Sequence, residues 1–173
     1  MKSFVLAGGC FWCLDSSYMQ FKGVLDVEVG YMGGELENPS YERVCDGNTG
    51  HAEVARVIFD ENVIPAEVIL DIFFTIHDPR QLNRQGNDIG TQYRSAMFYS
   101  NNDEREVFHA AKMRAQQHWD GEIVTEITHA TDFWMGEEYH QDFFAKNPNQ
   151  GYCVAVVSPK MAKARTAFAA YLK

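Results

Sequence analysis

Ser3-Phe4-Val5-Leu6-Ala7-Gly8-Gly9-Cys10-Phe11-Trp12-Cys13-Leu14 is the stretch on which the fold turns. A short apolar run stops at two adjacent glycines, the pattern of a buried strand ending in a tight turn. Phe11, Leu14, Tyr18 and Phe21 then recur at spacings of three, four and three residues, which places them on one face of a helix. Leu25, Val27 and Val29 alternate with Asp26 and Glu28, predicting a half-buried strand closed by Gly30. The chain therefore opens as strand, helix, strand.

Beyond it, residues 31–50 are polar and punctuated by Gly33-Gly34, Asn38-Pro39 and Gly47-Asn48, so they read as a loop. Loops longer than about 15 residues in compact domains are usually functional. Glu53–Phe59 is rich in Val and Ile and reads as a strand, and Pro65 opens a helix whose stripe is Val68, Ile69, Ile72, Phe73 and Ile76. That helix should end before Asp78-Pro79. After a second polar segment, residues 80–92, come a strand over Tyr93–Tyr99, a helix near 103–119, a strand near 123–129, a short helix near 137–146 and a last helix after Ser158-Pro159. The order predicts an α+β fold: a two-layer α/β sandwich with a ferredoxin-like βαββαβ core and long functional loops on one side. Residues 1–173 are expected to form a single domain, since about 150 residues is the usual domain size.

Composition narrows the class. The chain is 46% hydrophobic and 23% charged, which fits a globular domain and excludes disordered and fibrous classes. Fifteen basic against 24 acidic residues give a net charge of −9. That field repels phosphate backbones and acidic membrane surfaces, so neither nucleic acid nor a membrane is an expected partner. The apolar run at the N-terminus is too short for a signal or a membrane span. Four cysteines in a chain that does not need disulfide staples point to a reducing compartment, and we expect a cytoplasmic monomer.

Cys10 would lie at or near a helix N-terminus, where free N–H groups and the helix dipole lower a thiol pKa. Phe11 and Trp12 set aromatic surface beside the sulfur. The pattern suits a thiolate next to an apolar pocket, or else a buried small hydrophobe. The Cys10/Cys13 spacing also permits a thioredoxin-type redox pair or half of a zinc site, but no second CxxC or HxxxH completes the latter.

Six ordered motifs extend the picture. Gly9-Cys10-Phe11-Trp12, Asn38-Pro39-Ser40-Tyr41, Thr49-Gly50-His51-Ala52-Glu53, the run from Gln85 to Ser95, Glu137-Glu138-Tyr139-His140-Gln141-Asp142 and Gly151-Tyr152-Cys153 resemble the A-type peptide methionine sulfoxide reductases over most of the chain. The resemblance implies reduction of methionine-S-sulfoxide, free or in oxidised proteins, with no bound cofactor and with thioredoxin as external reductant. It implies Cys10 as nucleophile, Phe11 and Trp12 as the pocket for the substrate methyl, Glu53 as the acid, and Tyr41, Asp88 and Tyr93 around the sulfoxide oxygen. It also implies Cys153 as resolving cysteine. Two departures accompany it: Gln150 is an extra residue before Cys153, and Cys13 stands where many relatives carry Gly.

The chemistry is consistent with those types. A thiolate displaces oxygen from a sulfoxide sulfur only as that oxygen is protonated, so a nucleophile and an acid are both required. Glu53 among Ala55, Val57, Ile58 and Phe59 should be held neutral by its apolar company. Tyr41 and Tyr93 supply hydroxyl donors, and Asp88 either positions one of them or caps a turn. The product sulfenic acid condenses with a nearby thiol, for which Cys153, Cys13 and Cys45 are the candidates. Cys153 follows a turn-forming, mobile stretch, Cys13 lies one helical turn from Cys10, and Cys45 reads as a bystander. His51, His77 and His140 read as supporting residues. A disulfide carrier using Cys10/Cys13 and a non-catalytic peptide-binding module remain the alternatives.

Overall fold

A computed structural model describes residues 1–173. In chain order the elements are β1 (Lys2–Ala7), α1 (Phe11–Tyr18), β2 (Val24–Met32), α2 (Tyr41–Cys45), β3 (Ala52–Phe59), α3 (Ala66–Ile76), β4 (Arg84–Gln85), β5 (Asp88–Ile89), β6 (Ala96–Tyr99), α4 (Asn102–Gln116), β7 (Glu126–His129), β8 (Trp134–Met135), α5 (Phe143–Lys146) and α6 (Ser158–Ala167). Six strands form one mixed sheet in the order β7-β6-β1-β3-β2-β8, and β4 and β5 make a separate hairpin. The central four, β6, β1, β3 and β2, are antiparallel neighbours, and β7 joins β6 in parallel. This is an α+β fold, as the element order predicts.

Alternation along the strands feeds two clusters. Phe4 and Leu6 of β1, with Val57 and Phe59 of β3, meet Leu14, Tyr18 and Phe21 and the α3 residues Ile69, Ile72, Phe73 and Ile76 in the main core. Phe4 packs its ring 5.1 Å from those of Phe59 and Phe108, which ties α4 to the sheet. Ala7, Met32, Ala52, Val54 and Phe98 point to the other face and form a smaller cluster. A third cluster gathers Cys10, Phe11, Cys13, Tyr31, Val44 and Cys153 beside the start of α1. Phe11 therefore leaves the stripe that Leu14, Tyr18 and Phe21 share.

Several sequence expectations are corrected. β2 runs through Gly30 to Met32, because β8 pairs with it there (Gly30↔Met135, Tyr31↔Trp134). A register shift between Val24 and Asp26 turns Leu25 outward, so the apolar alternation begins only at Val27. Residues 31–50 are not a plain loop: Ser40 accepts from the Arg43 N–H and caps α2. Tyr93 belongs to a 3-10 turn before β6 rather than to the strand. The expected helix over 137–146 splits into a 3-10 turn at Glu138–His140 and α5, because Asp142 between them adopts a left-handed φ of 55°. Cys153, after the turn at residues 148–150, is fully buried in a π-helical turn that runs into α6.

Candidate active site

The site forms at one end of the sheet, where register brings distant residues together. β1 and β3 pair with Leu6 opposite Ala55, so the Gly8-Gly9 turn emerges beside Glu53. β2 pairs with β3 so that Tyr31 lies opposite Glu53. Ala7 pairs with Ala96, and the N–H of Gly9 donates to the carbonyl of Tyr93 at 3.3 Å, which draws the Thr91–Tyr93 turn in as well. Gly9 turns at φ 83°, a left-handed conformation that other L-residues adopt only with strain.

Cys10 occupies the N-cap of α1, 6% exposed. The helix N-terminus was expected to lower its pKa, and the structure reverses that. Burial, followed by the charges of Glu53 and Cys13, pushes the thiol well above its ordinary value, and the Trp12 N–H only partly opposes this. An eight-residue helix cannot outweigh desolvation of the charged sulfur. At neutral pH the resting group is a thiol.

Glu53 is 1% exposed, and its Oε1 accepts from the N–H of Phe11 at 3.2 Å, so the carboxyl sits against the first turn of α1. Burial raises its pKa to about 8; the Phe11 N–H opposes this and the charge of Asp88 adds to it. The group is thus a neutral acid at pH 7, and its other oxygen, Oε2, has no partner within the protein.

Tyr41 and Tyr93 approach this carboxyl from two segments. Burial and the Glu53 charge raise both phenols, so both remain protonated donors. Asp88 does not serve either of them: its Oδ2 accepts from the Tyr152 hydroxyl at 2.6 Å. Phe11 is fully buried and forms the floor, with Tyr31, Tyr41 and His140 rings at 5.7, 6.4 and 5.1 Å. Trp12 is only partly buried and forms the wall, stacked on Phe143 at 3.8 Å, with its Nε1 donating to His140 Nδ1 at 3.0 Å. Cys13 and Cys153 are both buried in the same cluster. Cys45 is less detached than expected: it closes α2 on the same segment as Tyr41, and its carbonyl accepts from Gln92 Nε2 at 3.4 Å.

Three positioning groups escaped the sequence reading. Glu137 accepts from the Tyr31 hydroxyl at 2.8 Å and the Tyr41 N–H at 3.0 Å; burial pushes its carboxyl up, but these bonds hold it below its ordinary range. Tyr152 binds Asp88 and packs edge-on to Trp12. Lys160 lies over the Gly-Gly turn. A Glu in an acidic motif and a Tyr next to a Cys carry no local signal for such contacts. His51 and His77 are structural as read: His51 joins the Gly34 N–H to the Leu36 carbonyl, and His77, held neutral by burial, joins the Phe73 carbonyl to Ser95.

A buried thiol beside a protonated carboxyl, under an aromatic wall on an α+β scaffold, describes a thiol oxidoreductase centre. The comparisons with known proteins place it further. The peptide methionine sulfoxide reductase family profile matches residues 2–171. The chain is 58% identical to peptide methionine sulfoxide reductase MsrA of Clavibacter michiganensis subsp. michiganensis, over 100% of this chain and 99% of that one. Its structure is similar to the crystal structure of reduced Mxr1 from Saccharomyces cerevisiae, with TM-score 0.83 and 38% identity over 88% of each chain. It is also similar to Mxr1 in complex with Trx2, with TM-score 0.58 and 26% identity over 82% of this chain and 84% of that one. The chain belongs to the peptide methionine sulfoxide reductase family and is an oxidoreductase that reduces methionine sulfoxide.

Proposed function

We propose that the whole chain acts as one reductase domain, with Cys10 as nucleophile and Glu53 as acid, and that it reduces the S epimer of methionine sulfoxide, free or in oxidised proteins. The observation that carries this reading is the neutral, buried Glu53 whose Oε2 is unpartnered beside Cys10. The Cys10 sulfur bonds to the sulfoxide sulfur as the oxygen takes the Glu53 proton, and the thiol proton of Cys10 replaces the one Glu53 gave up. The S–OH and S–S bonds to the substrate sulfur then break as the hydroxyl bonds to the Cys10 sulfur, the electron pair staying on what is now methionine and Cys10 being left as a sulfenic acid. Tyr41 and Tyr93 hold the oxygen, Asp88 positions Tyr152, and Phe11 and Trp12 receive the methyl. A second thiol, Cys153 or Cys13, then condenses with the sulfenic acid.

The Mxr1–Trx2 complex supports thioredoxin as the reductant that reopens the disulfide. Four unpaired cysteines in a chain of this size are in keeping with a reducing, cytoplasmic setting; no helix is long and apolar enough to cross a membrane. The test is one equivalent of methionine-S-sulfoxide without reductant. Wild type should release methionine and lose two thiols, Cys10→Ser should release none, and the R epimer should be left intact. Methionine from Cys10→Ser would overturn the assignment.

A further inference from the structure

Resting on that reading, we propose that His77 and Gln85 are positioning residues for the reaction: they form a seat under the two glycines before Cys10 and so set where its sulfur stands against Glu53. The hydrogen bonds of the turn itself hold it loosely. The Gly9 N–H reaches the Tyr93 carbonyl at 3.3 Å and the Phe11 N–H reaches Glu53 Oε1 at 3.2 Å, at or beyond the long end of the range of about 2.7–3.2 Å such bonds prefer. Cys10 makes no capping bond with its side chain.

Contact from the seat supplies the rest. A Cβ on Gly8 would stand 3.0 Å from His77 Cγ and 3.1 Å from Cδ2, so this glycine lies directly against the imidazole ring. A Cβ on Gly9 would stand 2.8 Å from Gln85 Cγ and 3.0 Å from its Cβ. That glycine therefore rests on the stem of the glutamine and not on its movable tip.

Both side chains are themselves fixed. His77 is buried, and its Nδ1 donates to the Phe73 carbonyl at 2.6 Å. Its Nε2 is then the acceptor for the Ser95 hydroxyl at 2.8 Å, and Ser95 Oγ accepts from Thr125 Oγ1 at 2.8 Å. This chain ties the ring to the end of α3 and to the residues that lead into β6 and β7. Gln85 closes a two-bond clamp on Asp78: its Oε1 accepts from the Asp78 N–H at 2.9 Å, and its Nε2 donates to the Asp78 carbonyl at 3.0 Å. Ring and stem are thus anchored on one dipeptide, His77-Asp78. Gln85 stands on the β4–β5 hairpin, outside the main sheet, so its replacement leaves the sheet ladders untouched.

The consequence is geometric. Attack needs the reacting atoms aligned at about 3–3.5 Å, and a misplacement of about 1 Å costs about 10²-fold in rate. His77 and Gln85 act through the turn, while Phe11 and Trp12 keep their own ring partners. Loss of the seat should therefore lower the maximal rate and spare substrate binding.

The experiment is single-turnover methionine release from methionine-S-sulfoxide, with the full chain in excess at several concentrations and no reductant. Thermal unfolding is recorded on the same samples. Gln85→Ala should lower the maximal rate by about tenfold to 10²-fold and leave the half-saturating concentration within about threefold of wild type. Gln85→Met, which keeps Cβ and Cγ under Gly9, should recover most of the loss. Gly8, unlike Gly9, lies outside the left-handed region, so Gly8→Ala changes only the space against His77 and should also lower the maximal rate. Adding His77→Ser opens that space, and the double variant should be faster than Gly8→Ala alone. If His77→Ser unfolds below the assay temperature, the Gln85 variants decide alone. An unchanged maximal rate in Gln85→Ala, a change confined to half-saturation, or a folded double variant no faster than Gly8→Ala would overturn the inference and leave the Cys10–Glu53 reading intact. Methionine release from Cys10→Ser, run alongside, would overturn both.

Discussion

Glu53 carries a carboxyl whose pKa has moved from an ordinary 4.5 to about 8 because burial penalises its charged form. The folded chain then binds this proton more tightly than the unfolded chain does. Between those two values the native state holds more protons, so stability falls as pH rises. The penalty is absent below about pH 4, accumulates through neutrality and is complete above about pH 8; at about 1.4 kcal/mol per unit it is on the order of 5 kcal/mol. Asp15, raised by burial to about 7, contributes a slope of the same sign. Below about pH 6.5 the buried His77, lowered to about 3, contributes a slope of the opposite sign, so the test lies above it: urea unfolding midpoints from pH 7 to 9 should decline in wild type and decline less in Glu53→Gln. Parallel curves would mean that Glu53 ionises as freely as in water. The motif and its apolar neighbours made Glu53 legible in the sequence. The thiol pKa of Cys10 was not legible, because desolvation depends on the third cluster, whose buried members come from four separate segments.

At the scale of elements, short pieces are placed by long-range bonds rather than by their own propensity. α2 has five residues, and α5 has four, too few to persist alone. Glu137 fixes α2 by binding the Tyr41 N–H across 96 residues of sequence and the Tyr31 hydroxyl across 106. Asp15 Oδ2 accepts from the Asp142 N–H at 2.9 Å and sets the residue that starts α5, whose Phe143 backs Trp12. Glu137→Ala leaves the buried Tyr31 hydroxyl unpartnered, which costs about 1 to 3 kcal/mol. It also frees α2, so Tyr41 should lose its position and KM should rise more than kcat falls. Thermal unfolding with steady-state kinetics checks both, and wild-type KM in this variant would show that α2 holds itself. The periodic elements β1, β3, α3 and α4 were legible from apolar spacing. α2, β8 and the split at Asp142 were not, because each exists through a partner that is distant in the chain.

Across the whole molecule, the antiparallel order of β6, β1, β3 and β2 delivers the ends of four strands to one end of the sheet, where the Gly8-Gly9 turn, Tyr31, Glu53 and the Thr91–Tyr93 turn meet. The frame carries four unpaired thiols and no disulfide. The most direct test of the central claim is the single-turnover rate of methionine release from methionine-S-sulfoxide between pH 6 and 9.5. With Glu53 as the acid, the wild-type rate should fall through a midpoint near pH 8. Glu53→Gln should be slower at pH 7 by about 10²- to 10⁴-fold and should lack that midpoint. A Glu53→Gln rate equal to wild type at pH 7, with the same pH profile, would contradict it.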